Sequence, residues 1–113
     1  MRSGWLLRDG QVLASVDIAD SPVERMRGLL GRSSYEGAML LPATRSVHTL
    51  MMRFPLDVAH MTADLKVLST SRMGRWRIGL PRPGCRCVLE ASSGAFERWA
   101  LEVGDQLEIR DAR

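Results

Sequence analysis

The chain has 113 residues, 45% hydrophobic and 26% charged, which suits one soluble globular domain spanning residues 1–113 and argues against disorder. Its net charge of +3 and pI near 9.5 come almost wholly from arginine, Lys66 being the sole lysine, and favour an acidic or anionic partner. No apolar run approaches the roughly 20 residues of a membrane span, and Trp5-Leu6-Leu7 is too short for a secretory core, so the expected location is cytoplasmic.

In chain order, Trp5-Leu6-Leu7 and Val12 to Val16 flank Asp9-Gly10, a pair that tolerates positive φ and so predicts a hairpin. Ser21-Pro22-Val23-Glu24 predicts a helix running to Gly28 or Gly31. Ser21 would cap it, Pro22 would occupy its first turn, and Glu24 would complete a capping box. Val23, Met26, Leu29 and Leu30 share its apolar face. Ala38 to Leu41 reads as a buried strand stopped by Pro42, and Val47 to Met51 and Leu56 to Thr62 read as the next two strands. Ala63-Asp64 turns the chain into Leu65 to Leu68. Cys87 to Ser92 is another strand, Ser93 caps a short helix bearing Phe96 and Trp99, and Gly104-Asp105 leads into a last strand, 106–110. Short strands without a βαβ rhythm predict a β-rich α+β domain: a bent or barrel-like antiparallel sheet with one or two short helices.

Three groups of motifs stand in a specific order. Arg27-Gly28-Leu29-Leu30-Gly31-Arg32 precedes Ala38-Met39-Leu40-Leu41; then come His48-Thr49 and Met52-Arg53-Phe54-Pro55-Leu56-Asp57-Val58; last are Val88-Leu89-Glu90, Gly94-Ala95-Phe96 and Val103-Gly104-Asp105. From about Val12 to Ile109 the chain resembles the domain-of-unknown-function family number one hundred and ninety-two, an uncharacterised protein family. The resemblance implies a compact β-rich domain of bacteria and archaea without an established activity, and the source is expected to be bacterial. The run 50–54 and His60 depart from that family's usual pattern.

Asp57 is the leading candidate for chemistry, because an acid entering an apolar strand must be paired or hydrogen-bonded. It would serve as a general base or orienting group, or else bond backbone N–H groups or pair with Arg53 or Arg32 to fix the fold. His48 and Glu90 are the candidate companions. Ser92, His48 and Asp57 assemble a triad only on paper, since no Gly-x-Ser-x-Gly surrounds the serine. His60 reads as a core histidine sharing a face with Leu56 and Val58.

Cys85-Arg86-Cys87 offers two thiols on one strand face, but no second cysteine cluster exists, so no metal and no cofactor are expected. The segment from Arg72 to Arg86 carries Arg72, Arg75, Arg77, Arg82 and Arg86 around Trp76, with glycines and prolines that oppose regular structure. It predicts an exposed cationic loop that grips an acidic protein or other anionic partner, without sequence-specific nucleic-acid recognition. The leading functional reading is a non-enzymatic binding or accessory module. The alternative is a small hydrolase-type enzyme using Asp57 with His48 or Glu90.

Overall fold

The computed structural model describes residues 1–27, 36–45, 54–74, 79 and 81–112, with residues 25–27 described by their backbone alone. Among the described residues, seven strands and two short helices follow in the order β1 (Arg2–Arg8), β2 (Gln11–Ile18), α1 (Pro22–Arg27), β3 (Ala38–Pro42), β4 (Leu56–Met61), β5 (Val67–Met73), β6 (Cys87–Ser92), α2 (Ala95–Arg98) and β7 (Glu108–Asp111). The strands form one sheet in the order β5-β4-β6-β3-β2-β1-β7. The predicted β-rich α+β class holds. The predicted strand 47–51, the apolar helix positions Leu29 and Leu30, and the Gly28 or Gly31 helix end lie outside the described residues.

Local sequence rules account for the first third. Asp9 and Gly10 take φ of 52° and 78°, so β1 and β2 close on a two-residue turn with Arg8 opposite Gln11. Residues of α1 follow the predicted capping box: Glu24 N–H donates to Ser21 Oγ at 3.1 Å, and Ser21 N–H donates to Glu24 Oε1 at 3.1 Å. Ser21→Ala should therefore cost about 1 kcal/mol in urea denaturation. A loss below about 0.3 kcal/mol would show that other groups satisfy this helix start.

The sheet is mixed where a purely antiparallel one was expected. β2 and β3 pair in parallel, with Val16 opposite Ala38 and Ile18 opposite Leu40, because the chain crosses over by way of α1 before adding the next strand. At the far edges, Lys66 bridges Gln106, and Gly104 N–H donates to the Val67 carbonyl at 2.8 Å. These bonds draw the approach to β7 towards β5 and bend the sheet without closing it into a barrel.

Both faces of the sheet are buried at its central strands β3, β4 and β6. One packs Leu6, Val16, Leu40, Met61 and Leu89 under Phe96 of α2. The other gathers Met39, Leu41, Leu56, Val58, Cys85 and Val88. Central strands β4 and β6 are accordingly buried at nearly every position, against the half-and-half pattern of a one-sided sheet. Arg8 ties down the end of α2 by donating to the Trp99 carbonyl at 2.6 Å and to Asp105 Oδ2 at 2.8 Å. Among the described residues, no helix is long and apolar enough to cross a membrane.

Candidate functional site

Register decides which titratable side chains meet. Val58 pairs with Glu90 and His60 with Val88 across β4 and β6, whereas Asp57 pairs with Ala91. Directly opposed residues project to the same face, and successive residues alternate. Glu90 and His60 therefore share one face as diagonal neighbours, and Asp57 points to the other. The two carboxylates do not converge, and His48 lies outside the described residues.

Asp57 is 3% exposed, and both of its oxygens accept hydrogen bonds. Its Oδ2 accepts from the backbone N–H of Gly94 at 2.9 Å and of Phe96 at 3.0 Å, and its Oδ1 accepts from Arg72 Nε at 3.2 Å. Those two N–H groups belong to the start of α2. Gly94, at φ 95°, is the residue that begins this helix, and no side chain of its own caps it. Ser93 therefore does not cap α2 as expected; a carboxylate from β4 satisfies the orphan donors from across the fold. Arg53, one of the expected partners, lies outside the described residues, as does Arg32.

Glu90 sits among Met39, Val58 and Val88, 3% exposed, and its Oε1 has no hydrogen-bond partner among the described residues. Burial disfavours the charged carboxylate and pushes its pKa up to about 7. His60 is 7% exposed on the same face. Its Nδ1 lies 3.3 Å from Ser69 Oγ, while Nε2 has no partner among the described residues. Burial, then the nearby Arg82 charge, lowers the His60 pKa below its ordinary value, so the ring is neutral at pH 7.

His60 lies at one wall of a cleft of about 610 Å³, lined also by Ser69, Ser71, Arg72, Arg82 and Pro83. On the other face, Asp57, Thr70, Arg72, Phe96 and Glu97 border a second hollow of about 390 Å³. Arg72 does not lie in a loop as its neighbours suggested. β5 runs on to Met73, and Arg72 stands opposite Asp57 with its side chain 55% exposed. Pairing with β4 carries the strand through Ser69-Thr70-Ser71. Arg82 and Arg86 are exposed outside strands; Arg75, Trp76 and Arg77 lie outside the described residues.

The cysteines face different surroundings, because Cys85 precedes β6. Cys85 packs with Met39 and Val88, and Cys87 with Leu89 and Met61 on the other face. Cys87 Sγ donates to the Thr62 carbonyl at 3.2 Å, and burial pushes its thiol up to about 12, far from a reactive thiolate. Among the described residues, no three His, Cys, Asp or Glu side chains stand close enough to share a metal ion.

These motifs have relatives. The family model DUF192, described as Uncharacterized ACR, matches residues 5–109. The chain belongs to this family. A UPF0127 protein of Pyrococcus furiosus is 32% identical to this DUF192 domain over 103 residues, covering 87% of the chain and 89% of its own length. A UPF0127 protein of Pyrococcus horikoshii is 31% identical over 98 residues, covering 82% and 85%. These sequence relatives are archaeal, so the expectation of a bacterial source has no support from them.

Two solved structures share the fold at 20% identity. One is a Sinorhizobium meliloti protein provisionally described as a transcription regulator, with a TM-score of 0.79 over 96% of this chain and 92% of its own. The other is a protein of unknown function from Novosphingobium aromaticivorans, with a TM-score of 0.76 over 96% and 84%.

Sequence reading passed over His60 as a member of this site. The alternation of Leu56, Val58 and His60 put it on a buried face, but only register brings Ser69 to its ring. The approach of Arg82 depends on where the turn after Pro81 folds back, and no local motif encodes that.

Proposed function

We propose that this domain is a non-enzymatic binding module that recognises an acidic or otherwise anionic partner along the edge formed by β5 and the turn before β6. The observation that carries the reading is the cleft beside β5, where the exposed guanidinium of Arg82 and the hydroxyls of Ser69 and Ser71 rim a concave surface. Arg86 extends the cationic edge, and Arg75, Trp76 and Arg77 of the same segment are assigned to it from the sequence. A hydrolase built on Asp57 would need an accessible carboxylate, whereas this one is 3% exposed and both of its oxygens already accept hydrogen bonds. A cytoplasmic location is part of the same proposal.

Poly-glutamate serves as a defined acidic probe for the test. Arg82→Ala with Arg86→Ala should weaken its binding about tenfold or more at low salt while leaving the thermal midpoint unchanged, since exposed arginines contribute little to folding. Binding should also fall steeply as salt rises, because the contact is between solvent-exposed charges. If the double variant binds as tightly as the parent, with the same salt dependence, the arginine edge is not the recognition surface. Capture from native lysate would then be the direct route to the true partner.

A further inference from the structure

We infer that the cleft beside β5 is an oxyanion site in which His60 Nε2–H, the Ser71 hydroxyl and the Arg82 guanidinium hold a phosphate or carboxylate group. This inference deepens the anionic-partner reading and rests on it for the partner's chemistry. It adds a specific pocket and a residue, His60, that a diffuse cationic edge does not need.

Taking the Ser69 hydroxyl, 3.3 Å from Nδ1, as the donor places the hydrogen of the neutral ring on Nε2. His60 lines the cleft, and its Nε2, buried beneath that wall, has no partner among the described residues. A buried polar group left unpaired is destabilising, so the position is expensive for an ordinary core histidine. An acceptor supplied from outside removes that cost.

The polar side chains around the cleft are Ser69, Ser71, Arg72 and Arg82, and none carries a negative charge. Guanidinium and a neutral imidazole N–H are pure donors, and a hydroxyl is free to act as one. Donors converging without a carboxylate among them match a multi-oxygen anion, for which charge-assisted bonds are strongest. A cation would meet the charge of Arg82 directly.

The charges facing His60 agree with this assignment. Arg82 from the turn before β6 is close enough to lower its proton affinity, and Arg72 stands on the adjoining strand with its Nε already given to Asp57. On β6 the only titratable neighbour on the same face is Glu90, buried behind Val58 and Val88 rather than lining the cleft. The pocket therefore presents positive potential and a neutral donor to an incoming oxyanion.

The test uses the intact chain labelled at histidine and followed by NMR, with inorganic phosphate, sulfate and acetate as probes against sodium chloride at matched ionic strength. Phosphate and sulfate should shift the His60 ring signals saturably in the millimolar range, and Arg82→Gln should raise the dissociation constant about five- to tenfold. Arg86→Gln, which lies outside the cleft, should leave it within about twofold. Tighter binding of acetate than of phosphate would assign the pocket to carboxylates, and the reverse order to phosphoryl groups. His60→Gln keeps one N–H donor and should retain partial binding; if it does not fold, Arg82→Gln decides alone.

Linear shifts no larger than those from chloride, or an Arg82→Gln variant with parental affinity, would overturn the site. Poly-glutamate binding that survives such a result would leave the broader edge reading standing. Saturable phosphate binding without poly-glutamate binding would do the opposite.

Discussion

Replacing Asp57 by Ala should destabilise the domain by about 3 kcal/mol, the larger part of it from two backbone donors left buried without an acceptor. Oδ2 is the acceptor for Gly94 and Phe96 N–H, the groups with which α2 begins. With the carboxylate gone they have no replacement from α2 itself, which has no side-chain cap. Phe96 and Leu101 then lose the anchor that holds them on the sheet. For a domain of this size the loss corresponds to roughly 10–15 °C in thermal midpoint.

Arg72→Ala supplies the contrast, since its side chain is 55% exposed and an exposed ion pair contributes less than about 1 kcal/mol. Asp57→Asn should fall between the two, because its amide oxygen can replace Oδ2 as acceptor for both N–H groups while its NH₂ opposes Arg72 Nε. Urea denaturation of the three variants separates the roles. A group kept for catalysis or binding is commonly neutral or stabilising to remove. An Asp57→Ala variant within about 0.5 kcal/mol of the parent would therefore return Asp57 to the list of functional candidates.

The same residue shows where sequence reading succeeds and where it stops. Asp57 stood out because an acid entering an apolar strand demands partners, and the demand is real. The partners lie 37 and 39 residues away in the chain, and nothing local to Gly94 or Phe96 announces them. Signals confined to a few residues were legible: the positive φ pair Asp9-Gly10, the reciprocal bonds of Ser21 and Glu24, and the limits of β6 at Cys87 and Ser92.

Features that depend on pairing were not legible. The parallel contact of β2 with β3 follows from a crossover, and the extension of β5 through Arg72 follows from its ladder with β4. Composition made Arg72 look like part of a loop, while seven consecutive residues of strand put its side chain beside Asp57. Cys85 and Cys87 seemed to share a face until the start of β6 fell between them. The pairing of His60 with Ser69 is of the same kind, because a one-residue slip in β5 would turn Ser69 to the opposite face.

Glu90 provides a pH signature of the second buried face. Its folded pKa of about 7 lies above the 4.5 of an exposed glutamate, so the folded state binds the proton more tightly than the unfolded chain does. Stability from this group is therefore fullest below pH 4.5 and declines as pH rises towards 7, the reverse of a salt-bridged carboxylate. The full span between those two values amounts to roughly 3 kcal/mol. Glu90→Gln keeps the shape and removes the ionisation, so it should raise stability by up to about 3 kcal/mol at pH 8 and change it little at pH 4.5. The measurement is urea denaturation of both proteins at half-unit steps from pH 4.5 to 8. A difference that stays flat across that range would mean that the ionised Glu90 has a compensating donor in the folded protein. A difference growing through pH 6 would instead identify Glu90 as a carboxyl that burial keeps neutral at the cost of folding stability.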